Sequence, residues 1–345
     1  MSKIRGQAPF IIQGMVRAAG GRYDEAVLDM PVFSEVLTQL DASRETVRAL
    51  ASHLTRSIPA IRDAALAYGG DVPKHVRRHA YNPLIAMPLV DTGTYGVCAP
   101  VPELILQTVM PRGLYFAGYE AWGSEFTRDL GVRVQTYVGR QFQQGQEHFE
   151  VLPEIEYEKS QLSADWILVG REAVVIVECK SARMSMKGRL GGAELHDVTA
   201  RYIEKGRTQI SRTAALIESR DPAFIHIPDD RPVVGLVVTA EPFYLANVPD
   251  HGTVEGAVPT IVASLRDLER LMSLPYDDVI PALLSVVNDA ERRTWHLSDA
   301  INDRFTESRR NALLDRAWAS SPMAKAIARF QPGRAPLLPA DVEAD

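Results

Sequence analysis

The chain has 345 residues, 46% hydrophobic and 24% charged, with a formal net charge of −6. That balance fits an ordinary soluble globular protein of two or three domains, or of one core with elaborations, and excludes a binder that is basic over its whole surface. It leaves room for a local basic face.

Several other classes fall away quickly. No apolar run reaches the ~18 residues of a membrane span, and the N-terminal apolar patch, APFIIQGMV, is too short for a signal peptide. With only Cys98 and Cys179 and no CxxC pair, neither a disulfide framework nor a zinc site is expected. A cytoplasmic protein with no membrane partner is the expectation. The sequence contains no P-loop, GxGxxG after a strand, HExxH or GxSxG.

Residues 1 to about 75 read as helical. Val36, Leu37, Leu40, Val47, Leu50, Leu54, Ile58 and Ile61 recur at near-helical spacing, and Gly69-Gly70 is a stop signal. Residues 81 to 116 are rich in Pro and Gly with short apolar runs, which predicts irregular strands and turns. A second helix is predicted over 119–142, with Phe126, Leu130, Val134, Tyr137 and Val138 as its buried stripe and a close packing partner at Gly131. Strands follow over 149–180, a helix over 194–219, and a strand in RPVVGLVVTAEPFYL. After about 255 the pattern is helical again, and the tail from Gln331 is rich in Pro and Ala.

The stretch SADWILVGREAVVIVECKSAR, residues 163–183, carries the chemistry. Side chains alternate faces along a strand, so Val174, Ile176, Glu178 and Lys180 share one face, and Val175, Val177 and Cys179 the other. Both faces are apolar until the end, which predicts a central strand covered on both sides. A turn over 170–173 would pair Val169 with Val174, Ile167 with Ile176, and Asp165 with Glu178. Directly opposed residues have Cβ atoms about 4.5–5.5 Å apart, and like charges so placed repel. A divalent cation offsets that repulsion best. Mg²⁺ is satisfied by one or two carboxylates plus waters, and Mn²⁺ can replace it. The backbone carbonyl of Cys179 is a further candidate ligand, and Lys180 would lie beside the metal.

This array resembles the PD-(D/E)xK phosphodiesterase superfamily, the restriction-endonuclease-like nucleases. The likeness runs over roughly 119–245, through a helix, strands, Asp165, the Glu178-Cys179-Lys180 triplet, a helix and a further strand. Ala164 stands where relatives carry proline. Gln135 stands where relatives carry a Glu on the helix before the sheet, so Glu154, and less strongly Glu125, are candidate substitutes as the third acid. On the helix after the Lys strand relatives often carry Lys or Tyr and Gln. Tyr202, Lys205 and Gln209 match, the last two spaced i, i+4 on one face. The resemblance implies Asp165, Glu178, Lys180 and Gln209 as catalytic residues and a metal held by Asp165, Glu178, Cys179 and Glu154.

Charge points the same way. Between 180 and 220, nine basic residues face four acidic ones, as a phosphodiester partner requires. Arg183, Lys187, Arg189, Lys205 and Arg207 are the candidate nucleic-acid contacts.

The expected fold is α/β, a central mixed sheet flanked by helices (a restriction-endonuclease-like core) with helical N- and C-terminal additions. The expected divisions are 1–115, 116–250 as the nuclease-like core, and 251–345. The expected function is Mg²⁺-dependent cleavage of nucleic acid, DNA rather than RNA, leaving by resemblance a 5′-phosphate and a 3′-hydroxyl, in defence against phage or in repair. The alternative is an inactive nucleic-acid-binding or scaffold module on the same core. The terminal helical regions are candidates for homodimerisation or for a partner protein.

Overall fold

The computed structural model describes residues 7–40, 42–69, 82–181, 200–243, 246–248, 258–305, 309–321 and 324. The chain divides into two compact units, 1–126 with 316–345, and 127–315. The division therefore falls at 126/127 and 315/316, not at the expected 115/116 and 250/251. Its reason is physical, since the strand and helices after residue 258 close the same core as the sheet before it.

In the first unit, helices α1 (Ala8–Ala18), α2 (Pro31–Gln39) and α3 (Arg44–Leu54) bury Ile11, Ile12, Met15, Leu37, Val47 and Leu54 in one apolar cluster. The periodic run across 36–61 is not one helix. Ser43 caps α3 by accepting from the Thr46 amide, and the three residues of β1 (Thr55–Ser57) interrupt the pattern before α4 (Ile58–Gly69). Strand β1 pairs in parallel with β2 (Leu89–Asp91), which pairs antiparallel with β3 (Val97–Cys98). A short helix, α5 (Leu104–Gln107), follows.

Helix α6 (Pro111–Gln143) leads from the first unit into the second and is broken at Gly123, whose φ of 56° and ψ of −131° lie outside helical space. A glycine takes that conformation without the clash a Cβ would bring.

The second unit is built on a five-stranded mixed sheet. Its spatial order is β10 (Thr260–Ser264), β9 (Val233–Thr239), β8 (Val174–Lys180), β7 (Trp166–Val169) and β4 (Glu150–Pro153). Strands β8, β9 and β10 run parallel, while β7 and β4 join by antiparallel pairing. A separate two-stranded ribbon, β5 (Glu156–Tyr157) with β6 (Gln161–Leu162), lies between β4 and β7 in the chain. Val175 and Val177 pack on one face with Val134, Val138 and Phe142 of α6. Helices α8 (Leu265–Leu271), α9 (Tyr276–Asn288) and α10 (Leu297–Ala300) complete that layer. Val174 and Ile176 pack on the other face with Ile203, and with Ile210 and Ile217 of α7 (Lys205–Glu218). Burying both faces of β8 is what its two-sided apolar sequence demands. The last described helix is α11 (Ala312–Ala319). Among the described residues, no helix is long and apolar enough to cross a membrane.

Strand β10 is an addition to the sequence reading. Its β-branched TIV run is short and leads directly into the capping box of Ser264 and Asp267 that starts α8, so the helical signal obscures it. The tight approach expected at Gly131 lies instead at Gly139. A Cβ on Gly131 would be 3.7 Å from the Ser181 hydroxyl, whereas one on Gly139 would fall 2.0 Å from the Trp166 indole. The indole nitrogen donates to the Gln135 carbonyl at 3.0 Å, which fixes the ring there. Gly139→Ala is therefore expected to destabilise the protein by up to about 2 kcal/mol net, overpacking of about 1–3 kcal/mol being partly offset by the ~1 kcal/mol gained in helix propensity. Urea unfolding monitored by tryptophan fluorescence measures it.

Candidate active site

The β7–β8 hairpin has the register that the sequence predicts, with Val169 opposite Val174 and Ile167 opposite Ile176. At the turn, the Gly170 amide donates to the Ala173 carbonyl at 3.0 Å. Counting from there, 168/175 and 166/177 are hydrogen-bonded pairs and 169/174 and 167/176 are the alternate kind, whose side chains lie closest. The next step of the same register sets Asp165 against Glu178 in a pair of the close kind. The ladder itself ends one residue earlier, at Trp166.

The reason it ends is visible in three hydrogen bonds. The Cys179 amide donates to Asp165 Oδ2 at 2.6 Å. The Ala164 amide donates to the Thr213 hydroxyl of α7 at 2.9 Å, and the Ala164 carbonyl accepts from the Ser163 hydroxyl at 2.8 Å. A carboxylate thus occupies the place where a main-chain carbonyl would continue the sheet. In an extended strand the N–H and C=O of one residue point to the same side, so the Cys179 carbonyl is directed to the Asp165 side.

Lys180 sits on the same face as Glu178. Its ammonium forms an ion pair with Glu178 Oε1 and donates to Gln209 Oε1 of α7 at 2.8 Å. Gly206 lets α7 approach, since a Cβ there would stand 3.6 Å from Glu178 Cγ and 3.1 Å from a Val237 methyl. Glu178 is 3% exposed, and its second oxygen, Oε2, is buried without a hydrogen-bond partner.

Burial, and then the neighbouring charge of Asp165, push the Glu178 carboxyl up to about 7, against the pull of Lys180 and, more weakly, of the Asp165 main chain. Burial also raises Asp165; the Cys179 amide and Lys180 oppose that shift, and Glu154 adds to it. The Cys179 thiol is pushed well above its ordinary range, chiefly by burial. Two desolvated carboxylates that resist joint ionisation, one of them with an unsatisfied oxygen, are a donor set for a hard dication. Mg²⁺ fits it, because oxygen ligands and retained waters meet its preference. Among the described residues no three or more His, Cys, Asp and Glu side chains are grouped to hold a metal, so the fit is of the two-carboxylate kind.

The other sequence candidates divide. Glu154 is exposed just after β4, near enough for its charge to act on Asp165. Gln135 lies on α6, whose buried residues Val134 and Val138 pack on the sheet face opposite to that of Glu178. Among the described residues its side chain makes no hydrogen bond, and its carbonyl serves Trp166. Glu125 is exposed and belongs to the first unit. Lys205 is exposed at the start of α7.

Arg207 requires correction as a nucleic-acid contact. It is buried, paired with Glu204 at 2.7 Å and donating to the Ala246 carbonyl at 2.9 Å, so its guanidinium serves the fold. Arg183, Lys187 and Arg189 lie outside the described residues. The sequence reading missed Thr213, Ser163 and Gly206. The available signal was a hydroxyl and a glycine at positions spaced with the Ile210 and Ile217 stripe. An open cavity of about 700 Å³ lies at the Gly170 turn, the far end of the hairpin from Asp165 and Glu178.

No protein-family model matches the chain, and no curated protein does. A solved structure similar to it is the small subunit of the heterodimeric restriction endonuclease R.BspD6I, at 9% identity and a TM-score of 0.31. The match covers 52% of this chain and 92% of that one. Likeness at that level carries no weight in the argument for function.

The raised Glu178 carboxyl has a consequence for stability. Its folded value, about 7, exceeds the ordinary 4.5, so the native state holds the proton more tightly than the unfolded chain. The strain is absent below about pH 4.5, grows as pH rises, and is complete above about pH 7. A shift of this size corresponds to roughly 3 kcal/mol. In EDTA, the stability advantage of Glu178→Gln over the unmodified protein should therefore be larger at pH 8 than at pH 5. Urea unfolding at the two pH values measures it, and an equal difference at both would remove the strained carboxyl from the account.

Proposed function

We propose that this chain is a metal-dependent nuclease that hydrolyses phosphodiester bonds of nucleic acid, with DNA as the expected substrate. The observation that carries the reading is the meeting of Asp165 and Glu178 at the end of a buried strand, with Glu178 Oε2 unsatisfied and Lys180 alongside. A structural ion pair does not require a second buried carboxylate beside it.

Asp165 and Glu178 would hold Mg²⁺, with the Cys179 carbonyl as an additional candidate; Glu154, exposed and not grouped with the two, is set aside as a ligand. When bound there, the ion would supply Lewis acidity toward a phosphate oxygen and acidify a water. The protein's own contribution is positional. Gln209 steadies the Lys180 ammonium at 2.8 Å, and a positive charge held so would offset negative charge developing on phosphorus-bound oxygens. The Cys179 amide orients one Asp165 oxygen and leaves the other for a ligand. Lys205, exposed on α7, is the described cation suited to the nucleic-acid backbone. Bacterial defence or repair is the setting in which this chemistry is expected to serve.

A second reading has one observation in its favour. The Lys180–Glu178 ion pair already supplies a counter-ion, as it would in a catalytically inactive binding or scaffold module. The two readings separate on one preparation. Plasmid, linear DNA and RNA are incubated with the protein in Mg²⁺, Mn²⁺ or EDTA, and Mn²⁺ is titrated calorimetrically into the unmodified protein and Asp165→Asn. The nuclease reading expects cleavage with either metal, none in EDTA, and loss of both cleavage and Mn²⁺ binding in the variant. Asp165→Ala and Lys180→Ala should each lose cleavage while staying folded by circular dichroism. Full activity in both would exclude this site.

A further inference from the structure

We infer that Thr213 is a positioning residue for Asp165. Its hydroxyl holds the Ala164 main chain off the β7–β8 ladder, so that a carboxylate and not a carbonyl meets the Cys179 amide. This inference rests on the nuclease reading of the site.

The register makes the argument. After 166/177, the next hydrogen-bonded pair would be 164/179, with Ala164 and Cys179 exchanging both main-chain bonds. Neither bond forms. The Ala164 amide is taken by Thr213 Oγ1 at 2.9 Å, its carbonyl by the Ser163 hydroxyl at 2.8 Å, and the Cys179 amide by Asp165 Oδ2 at 2.6 Å. Ser163 is itself anchored, since its hydroxyl accepts from the Ile155 amide at 2.8 Å and its amide donates to the Ile155 carbonyl at 3.0 Å. The strand is therefore levered out of the sheet from both sides one residue before the catalytic acid.

Thr213 is fully buried on α7 between Ile210 and Ile217. Valine would fill that space by shape, so the hydroxyl calls for a polar duty, and the Ala164 amide is the partner it has. The same helix face carries Gly206 against Glu178 and Gln209 on Lys180. Positions 206, 209 and 213, separated by three and four residues, thus register all three acting side chains against one rigid element. Supporting bonds of this sort set the geometry of metal-binding carboxylates.

The test uses the whole chain with Mn²⁺ as probe, in Thr213→Val, Thr213→Ala and Thr213→Ser. Removing the acceptor in Val or Ala should weaken Mn²⁺ binding by ~10–100-fold and shift the NMR resonance of the Cys179 amide, whose acceptor changes from the Asp165 carboxylate to the Ala164 carbonyl. Ser, which keeps the hydroxyl, should restore both. Val or Ala variants that bind Mn²⁺ as tightly as the unmodified protein would overturn the role of Thr213 and leave the site intact. If both fail to fold while Ser folds, the hydroxyl serves stability alone and the positioning role is overturned. If the unmodified protein binds no dication, the reading of the site falls, and this one with it.

Discussion

The second unit depends on one electrostatic conflict. The first four residues of β8, Val174 to Val177, are apolar enough to occupy the middle of the sheet, and their burial carries Glu178 into an environment where a carboxylate is poorly solvated. The register then sets Asp165 beside it. Desolvation and like charge act in the same direction, and Lys180 offsets only part of the result. An ion pair so deep is weak evidence for stability, because removing both charges often costs little. That the chain retains an oxygen without a partner is better explained by a ligand than by packing.

The surrounding layers look different once this conflict is taken as the centre. Helix α6 fixes Trp166 from one face through Gly139 and the Gln135 carbonyl. Helix α7 reaches Lys180, Ala164 and Glu178 from the other. The apolar stripes of the two helices explain why they dock. The interruptions in those stripes, two glycines, a threonine and a glutamine, explain where the site residues end up. The candidate site is built at the positions where a good amphipathic pattern is broken.

How much was legible follows from the same distinction. The hairpin register could be read because alternation has a period of two, and a slip of one residue would turn every valine and isoleucine to the wrong side. Asp165, Glu178 and Lys180 followed from it. Arg207 was misread because the sequence shows that α7 is amphipathic but not how far round it the buried face extends, and a guanidinium can be buried when Glu204 and a carbonyl meet it. Strand β10 was missed because five residues give too short a pattern beside a strong helix cap. The run across 36–61 was over-joined because the Ser43 cap and the three residues of β1 break it without disturbing its apolar spacing, and Pro59, just after β1, falls where a new helix can start. Thr213 showed only as a hydroxyl within an apolar stripe; its partner, an amide 49 residues away, could not be read, since main-chain bonding leaves no trace in composition.

Lys180 has one more implication, for how the molecule comes into being. Because an ammonium from the same strand already neutralises Glu178, the polypeptide carries its own provisional counter-ion. Assembly of the sheet therefore need not wait for a cation to arrive. On the proposed reading, a dication would enter a finished framework as a competitor of that ammonium, and its capture would be a displacement and not an act of folding.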